Sequence, residues 1–156
     1  MIWPFWPLFL QSLGANPFWI GLIETMNNIA GFIFMYLVVG KIKHSSSVSV
    51  GLVISSVCFF ALTRGNVFWH IVPIYVFLGV SWAFLYVGGL RYLMDKNVEK
   101  ATVNGLLDSV ISLSAIVGPF LGTLAISFGG YAPTMYAASA LSLISFGLFF
   151  FAKKES

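Results

Sequence analysis

No formally charged side chain interrupts the chain between Arg64 and Arg91, and none occurs from Ser109 to Ala152. Apolar runs of that length have few ways to fold. A helix crossing the ~30 Å hydrocarbon core of a bilayer needs about 20 mostly apolar residues. Backbone exposed to lipid must satisfy its own hydrogen bonds, which a helix does within one segment. Runs of this kind, bounded by Gly, Pro, Asn or charge, lie at roughly Pro17 to Val39, Ser47 to Thr63, Val67 to Leu90, Val103 to Ser127 and Tyr131 to Ala152. Each is expected to be a membrane span. The fold class that follows is an all-α integral membrane protein, with residues 1–156 forming a single transmembrane domain in contact with a lipid bilayer.

Composition closes the alternative of a water-soluble domain. Of the 156 residues 59% are hydrophobic and 8% charged, and the mean hydropathy is +0.94. Too little polar surface exists to cover a chain of this size. The net charge of +3 does not point to nucleic acid, because the basic residues are dispersed between apolar runs and form no stripe along which phosphates would bind. Cys58 has no second thiol for a disulfide or a metal pair, and reads as a small apolar residue within a span. No His/Cys cluster and no phosphate-cradling loop appears, so neither metal nor cofactor is expected.

The stretch Met1 to Leu13 is apolar but only about 18 to 20 Å long as a helix, too short to cross alone. It reads as a partial first span whose beginning precedes Met1, or as a segment in the interface; Trp3, Pro4, Trp6 and Pro7 fit both. A cleavable signal peptide is not expected, since Met1 to Pro7 carries no positive charge and no small-residue cleavage site follows.

Lys and Arg in short loops accumulate on the cytoplasmic side of a membrane. Counted along alternate ends of the spans, Lys41, Lys43, Arg91, Lys96, Lys100, Lys153 and Lys154 fall on one side and Arg64 on the other. The first side is expected to be cytoplasmic, with the C-terminus on it, in a multi-pass protein of the cell membrane. Adding or dropping a middle span would scatter these clusters over both faces.

Ionisable residues at membrane depth are costly and are functional candidates. Glu24 lies about two turns into the second span, one turn before Asn27 and Asn28. Two readings stand: a cavity-lining proton or substrate site, and a carboxyl held by hydrogen bonds near the outer interface. Asp108 lies in the fifth span, followed along one face by Ser112 and Ala115. It either borders an aqueous cavity or pairs with Arg91 or Lys100 as a structural latch. The third and sixth spans, around Cys58 and Tyr136, hold no ionisable side chain and suit a lipid-facing position. In the fourth, Ser81, Trp82, Tyr86, Gly88 and Gly89 serve either close packing or a solute pathway. Gly118, Pro119 and Gly122 make a bend with a smooth face in the fifth span, a hinge of a gating helix or a packing seam.

Several segments resemble the major facilitator superfamily, whose members have twelve spans in two six-span halves. Gly40, Lys41 and Lys43 are similar to the glycine and basic residues of its loop between the second and third spans of a half, with His44 where an acid is the rule. Glu99 to Gly105 resembles the lead-in to a fifth span, Ile116 to Gly122 the Gly-Pro-x-x-Gly bend within it, and Lys153-Lys154-Glu155-Ser156 a short basic tail. The basic residue that many first halves carry in the fourth span is absent, so the likeness is to a C-terminal half, truncated part-way through its first span. The resemblance implies an MFS-like half bundle of five full helices plus a partial first, spans one, two, four and five around a cavity, and alternating access.

The expected function is therefore half of a secondary active transporter moving a small, unidentified solute, with Glu24 and Asp108 as candidate acids for proton coupling, and completed by a second half or a dimer. The alternative is a truncated or accessory multi-pass protein without transport of its own. An enzyme is not expected: Ser81 in Gly79-Val80-Ser81 would need a base, and His44 and His70 are both poorly placed to supply one.

Overall fold

The computed structural model describes residues 5–37, 41–65 and 67–154, with Phe68, Ala152, Lys153 and Lys154 as backbone alone. Trp3, Pro4 and Gly40 of the sequence reading lie outside the described residues. Those residues form six α-helices and no strand: α1 (Trp6–Ser12), α2 (Pro17–Leu37), α3 (His44–Leu62), α4 (Phe68–Lys96), α5 (Lys100–Gly129) and α6 (Tyr131–Lys154). Five of them, α2 to α6, are long and apolar enough to cross a membrane. The architecture is an all-helical bundle of five membrane-length helices preceded by one short helix.

Local chemistry sets the boundaries. Gly14 ends α1 with φ of +87°, a conformation that costs a residue without Cβ little. The amide of Ala15 donates to Leu10 O at 3.1 Å and that of Gly14 to Gln11 O at 3.0 Å, the paired bonds of a Schellman turn. Asn16 then caps α2 by accepting from the Trp19 amide at 3.0 Å, and Pro17 supplies the first helical position, where its missing N–H costs nothing. Gly130, at φ +78°, is the single residue between α5 and α6. α3 begins three residues before the expected Ser47, while α4 runs on to Lys96 and α5 starts at Lys100. Apolarity marks the hydrocarbon; a helix of 29 residues such as α4 is about 43 Å long and continues past it.

α4 lies between α2 and α3, and α3 in turn packs on both α4 and α6; α5 touches α6 and α4 more lightly. The helix around Cys58 is thus a packing centre on one side and an outer surface on the other. Val50, Val53, Val57 and Phe60 are exposed, whereas Ser47, Gly51, Ser55, Ser56, Cys58 and Leu62 are buried. Hydroxyls join it to neighbouring helices: Ser47 donates to Phe84 O of α4 at 3.1 Å, Ser55 meets Ser81 of α4 at 2.5 Å, Ser81 in turn donates to Gly51 O of α3 at 2.8 Å, and Ser56 meets Ser139 of α6 at 3.2 Å. Small residues allow this approach, and each bond replaces a polar group that lipid cannot satisfy. The serine that a hydrolase would need as nucleophile is held inside the α3–α4 seam.

α1 inserts its Trp6, Phe9 and Leu10 face into a core with Ile23 of α2, Leu62 of α3, Ile71 and Tyr75 of α4, and Met135 of α6. Leu8, Gln11 and Ser12 remain exposed. A second cluster, Val80, Ala83 and Phe84, sits nearer the end that carries Lys41, Lys43, Lys96 and Lys100, called the basic end below.

Candidate functional site

The acid of α2 lies at the seam between α2 and α4. Three turns of α2 decide the geometry. Ile23, Asn27 and Gly31 are its buried residues, spaced four apart so that they share one face. Gly79 of α4 meets that face: a Cβ there would strike the backbone carbonyl of Asn27, and one on Gly31 would lie 3.1 Å from the Gly79 carbonyl oxygen. With the two backbones this close, the Asn27 side chain, 3% exposed, reaches across and donates from Nδ2 to the Tyr75 carbonyl at 2.6 Å.

Glu24, one turn earlier on α2 and partly buried, accepts at Oε1 a hydrogen bond of 2.8 Å from the Tyr75 hydroxyl. Tyr75 is 1% exposed and its ring stacks on Trp6 of α1, centroids 4.0 Å apart at 11°. The Trp6 indole N–H is buried and has no hydrogen-bond partner among the described residues. Nearby, Trp19 and Trp69 cross edge to face at 4.6 Å where α2 and α4 begin. The Glu24 carboxyl is thus held in place by a hydroxyl whose ring stacks on a second aromatic side chain.

The other candidates are distributed differently. Asn28 turns away from the seam, exposed, and donates to its own helix at Glu24 O, 3.0 Å. Trp82 and Tyr86 stack loosely at 6.0 Å and 21° on α4, Trp82 being 51% exposed. They lie on the stripe that continues Tyr75 and Gly79 at helical spacing. Asp108 and Ser112 are both exposed on α5. Asp108 forms no ion pair with a described Arg91 or Lys100; it accepts from Asn104 Nδ2 at 3.4 Å on its own helix. No hydrogen bond joins Asp108 or Ser112 to the Glu24 cluster.

Gly118 and Gly122 are buried one turn apart and, with Val103, are the buried residues of α5. The helix runs unbroken through Pro119, whose carbonyl is bonded by Thr123 Oγ1 at 2.9 Å. At the basic end Lys41 and Lys43 are exposed, and His44 Nε2 lies 3.2 Å from Asp95 Oδ2. The first residue of α3 thus meets an acid at the end of α4.

Tyr75 and Trp6 were not among the residues the sequence singled out for the site. A tyrosine in an apolar run carries no local mark, and its partner is 51 positions away. The available signal was that a buried acid needs a donor from a neighbouring span.

Searches of curated proteins and of solved structures return no match to this chain. A family model does match, and over residues 1–156. With five membrane-length helices, an acid at the seam of two of them and this match over its whole length, the chain belongs to the Major Facilitator Superfamily and is a multi-pass membrane transporter protein.

Proposed function

We propose that the chain is half of a secondary active transporter that moves a small solute by alternating access, with Glu24 as the group that takes up and releases the coupling proton. The observation that carries this reading is the Glu24–Tyr75 pair: an acid within a membrane-length helix, partly buried and hydrogen bonded to a neighbouring span. Intramembrane carboxyls with a defined partner are the usual proton relays of pumps and transporters. α2 and α5, which carry Glu24 and Asp108, are also the least buried of the long helices. Their open faces suit a pathway shared with a second half or a second copy, which would rock against this one about a midplane site. The basic end then faces the cytoplasm of a cell-membrane protein, and Trp82 and Tyr86 offer aromatic surface to the solute.

The test uses vesicles holding the chain with the half that completes it, and a panel of labelled solutes. Glu24→Gln abolishes accumulation driven by a pH gradient and leaves solute exchange intact. Accumulation at the unmodified level in that variant removes Glu24 from coupling, and solute-specific flux through the isolated chain overturns the half-transporter assignment.

A further inference from the structure

Two helices converge on Tyr75 of α4 through three ties. Trp6 brings α1 to its ring at 4.0 Å, Asn27 brings α2 to its carbonyl at 2.6 Å, and its hydroxyl reaches back to Glu24 of α2 at 2.8 Å. The first two ties do not depend on charge. The third does, because an O–H donor binds an ionised carboxylate about twice as strongly as a neutral acceptor, and a protonated carboxyl has a proton of its own to place.

The neighbours of this third tie sharpen its consequence. On the basic-end side of Glu24, α2 is fixed to α4 by Asn27 and by the contact of Gly31 with Gly79, which leaves no room for adjustment. On the other side the seam holds Ile23 and the Trp19–Trp69 contact, with Leu22 and Phe18 exposed. We propose that Tyr75 is the positioning residue of the Glu24 site: its hydroxyl holds the charged carboxyl against α4, and protonation of Glu24 releases that hold so that the outer turns of α2 separate from α4 about the Asn27–Gly79 contact. The proposal rests on reading Glu24 as the coupling carboxyl, and it supplies the link between a proton bound at one atom and movement of one helix.

The surroundings leave few other groups to confuse the titration. α2 packs against α4 and α1. From α4 Glu24 is faced by Tyr75, and His70, exposed, stands five residues nearer the start of that helix. α1 brings no titratable side chain, and the next one on α2 is Tyr36, three turns away. Tyr131 of α6 reaches Phe9 of α1, and Arg64 lies over Phe60 of α3.

The experiment uses the full chain in lipid nanodiscs, carrying His70→Gln to silence the other nearby titrating group. The infrared carbonyl band of protonated Glu24, identified by its loss in Glu24→Gln, gives a midpoint pH. Tyr75→Phe deletes one oxygen and keeps both the Trp6 stack and the Asn27 bond, so the bundle still assembles. Its midpoint moves to higher pH by about one to two units, the effect of losing a hydrogen bond to a charged group. Spin labels at Phe18→Cys on the outer turn of α2 and Phe77→Cys on α4, both exposed, in a Cys58→Ala background, separate as the unmodified seam is acidified and stay at the longer distance at every pH in Tyr75→Phe. An unmoved midpoint in Tyr75→Phe, or a label distance constant through the midpoint, overturns the proposal. Accumulation driven by a pH gradient that survives Glu24→Gln would instead retire the coupling role while leaving the midpoint comparison to decide the positioning role.

Discussion

The Asn27 amide donates to the Tyr75 carbonyl at 2.6 Å just where Gly79 lets the backbones of α2 and α4 touch. The two features depend on each other. A short polar side chain reaches a main-chain carbonyl of another helix only when no Cβ stands between them, and the close approach is stable in lipid only if the polar group it buries is bonded.

Gly79→Ala therefore forces α2 away from α4, because the atom its Cβ would strike is backbone. The expected loss is about 1–3 kcal/mol, read as a lower midpoint in denaturant unfolding in mixed micelles. Gly89→Ala, with nothing within 4 Å of its added Cβ, is the control and is neutral or stabilising by up to ~1 kcal/mol. Equal effects at the two sites would show that helix propensity, and not the seam, governs both.

Asn27→Ala and Asn28→Ala should separate in the same assay. Asn27 is buried and bonded across the seam, so truncation removes an interhelical bond and leaves a gap, for a loss of about 1–2 kcal/mol. Asn28 bonds its own helix from an exposed position and its truncation stays within about 0.5 kcal/mol. A larger loss at Asn28 would place that side chain in a contact outside this bundle.

Ser56 and Ser139 hold α3 to α6 through their hydroxyls at 3.2 Å and through Ser139 Oγ donating to Ser56 O at 3.0 Å. A double-mutant cycle with Ser56→Ala and Ser139→Ala should give a coupling of about 0.6 kcal/mol, the usual size for such bonds between membrane helices. Additive single effects would mean that packing alone joins these helices.

Asp108→Asn is expected to leave the unfolding midpoint within about 0.5 kcal/mol of the unmodified chain, since the side chain is exposed and makes no ion pair with a described residue. A clear loss of stability would reveal a structural latch in place of a cavity-facing acid.

The amino-acid sequence by itself determined the class of solvent and the fold class. Length of apolar run and sparseness of charge settle these, because a bilayer leaves a backbone only helices or closed barrels. The ends of the helices were less legible: α4 continues from Leu90 to Lys96 because polarity marks the edge of the hydrocarbon and not the end of the hydrogen-bond ladder. The resemblance carried by Gly118-Pro119 and the basic loop also stood in the sequence, since those patterns are local.

What each polar side chain binds was decided by tertiary structure. Adjacent asparagines, 27 and 28, look equivalent in a sequence, yet a rotation of about 100° between neighbours on a helix sends one into the α4 seam and the other out. The serines of α3 read as part of a lipid-facing span until Ser81 of α4 and Ser139 of α6 are brought opposite them. Tyr75 acquires its place beside Glu24 only when α2 and α4 pack, since a hydrogen bond between residues 51 apart is a property of that packing and of nothing local to either helix.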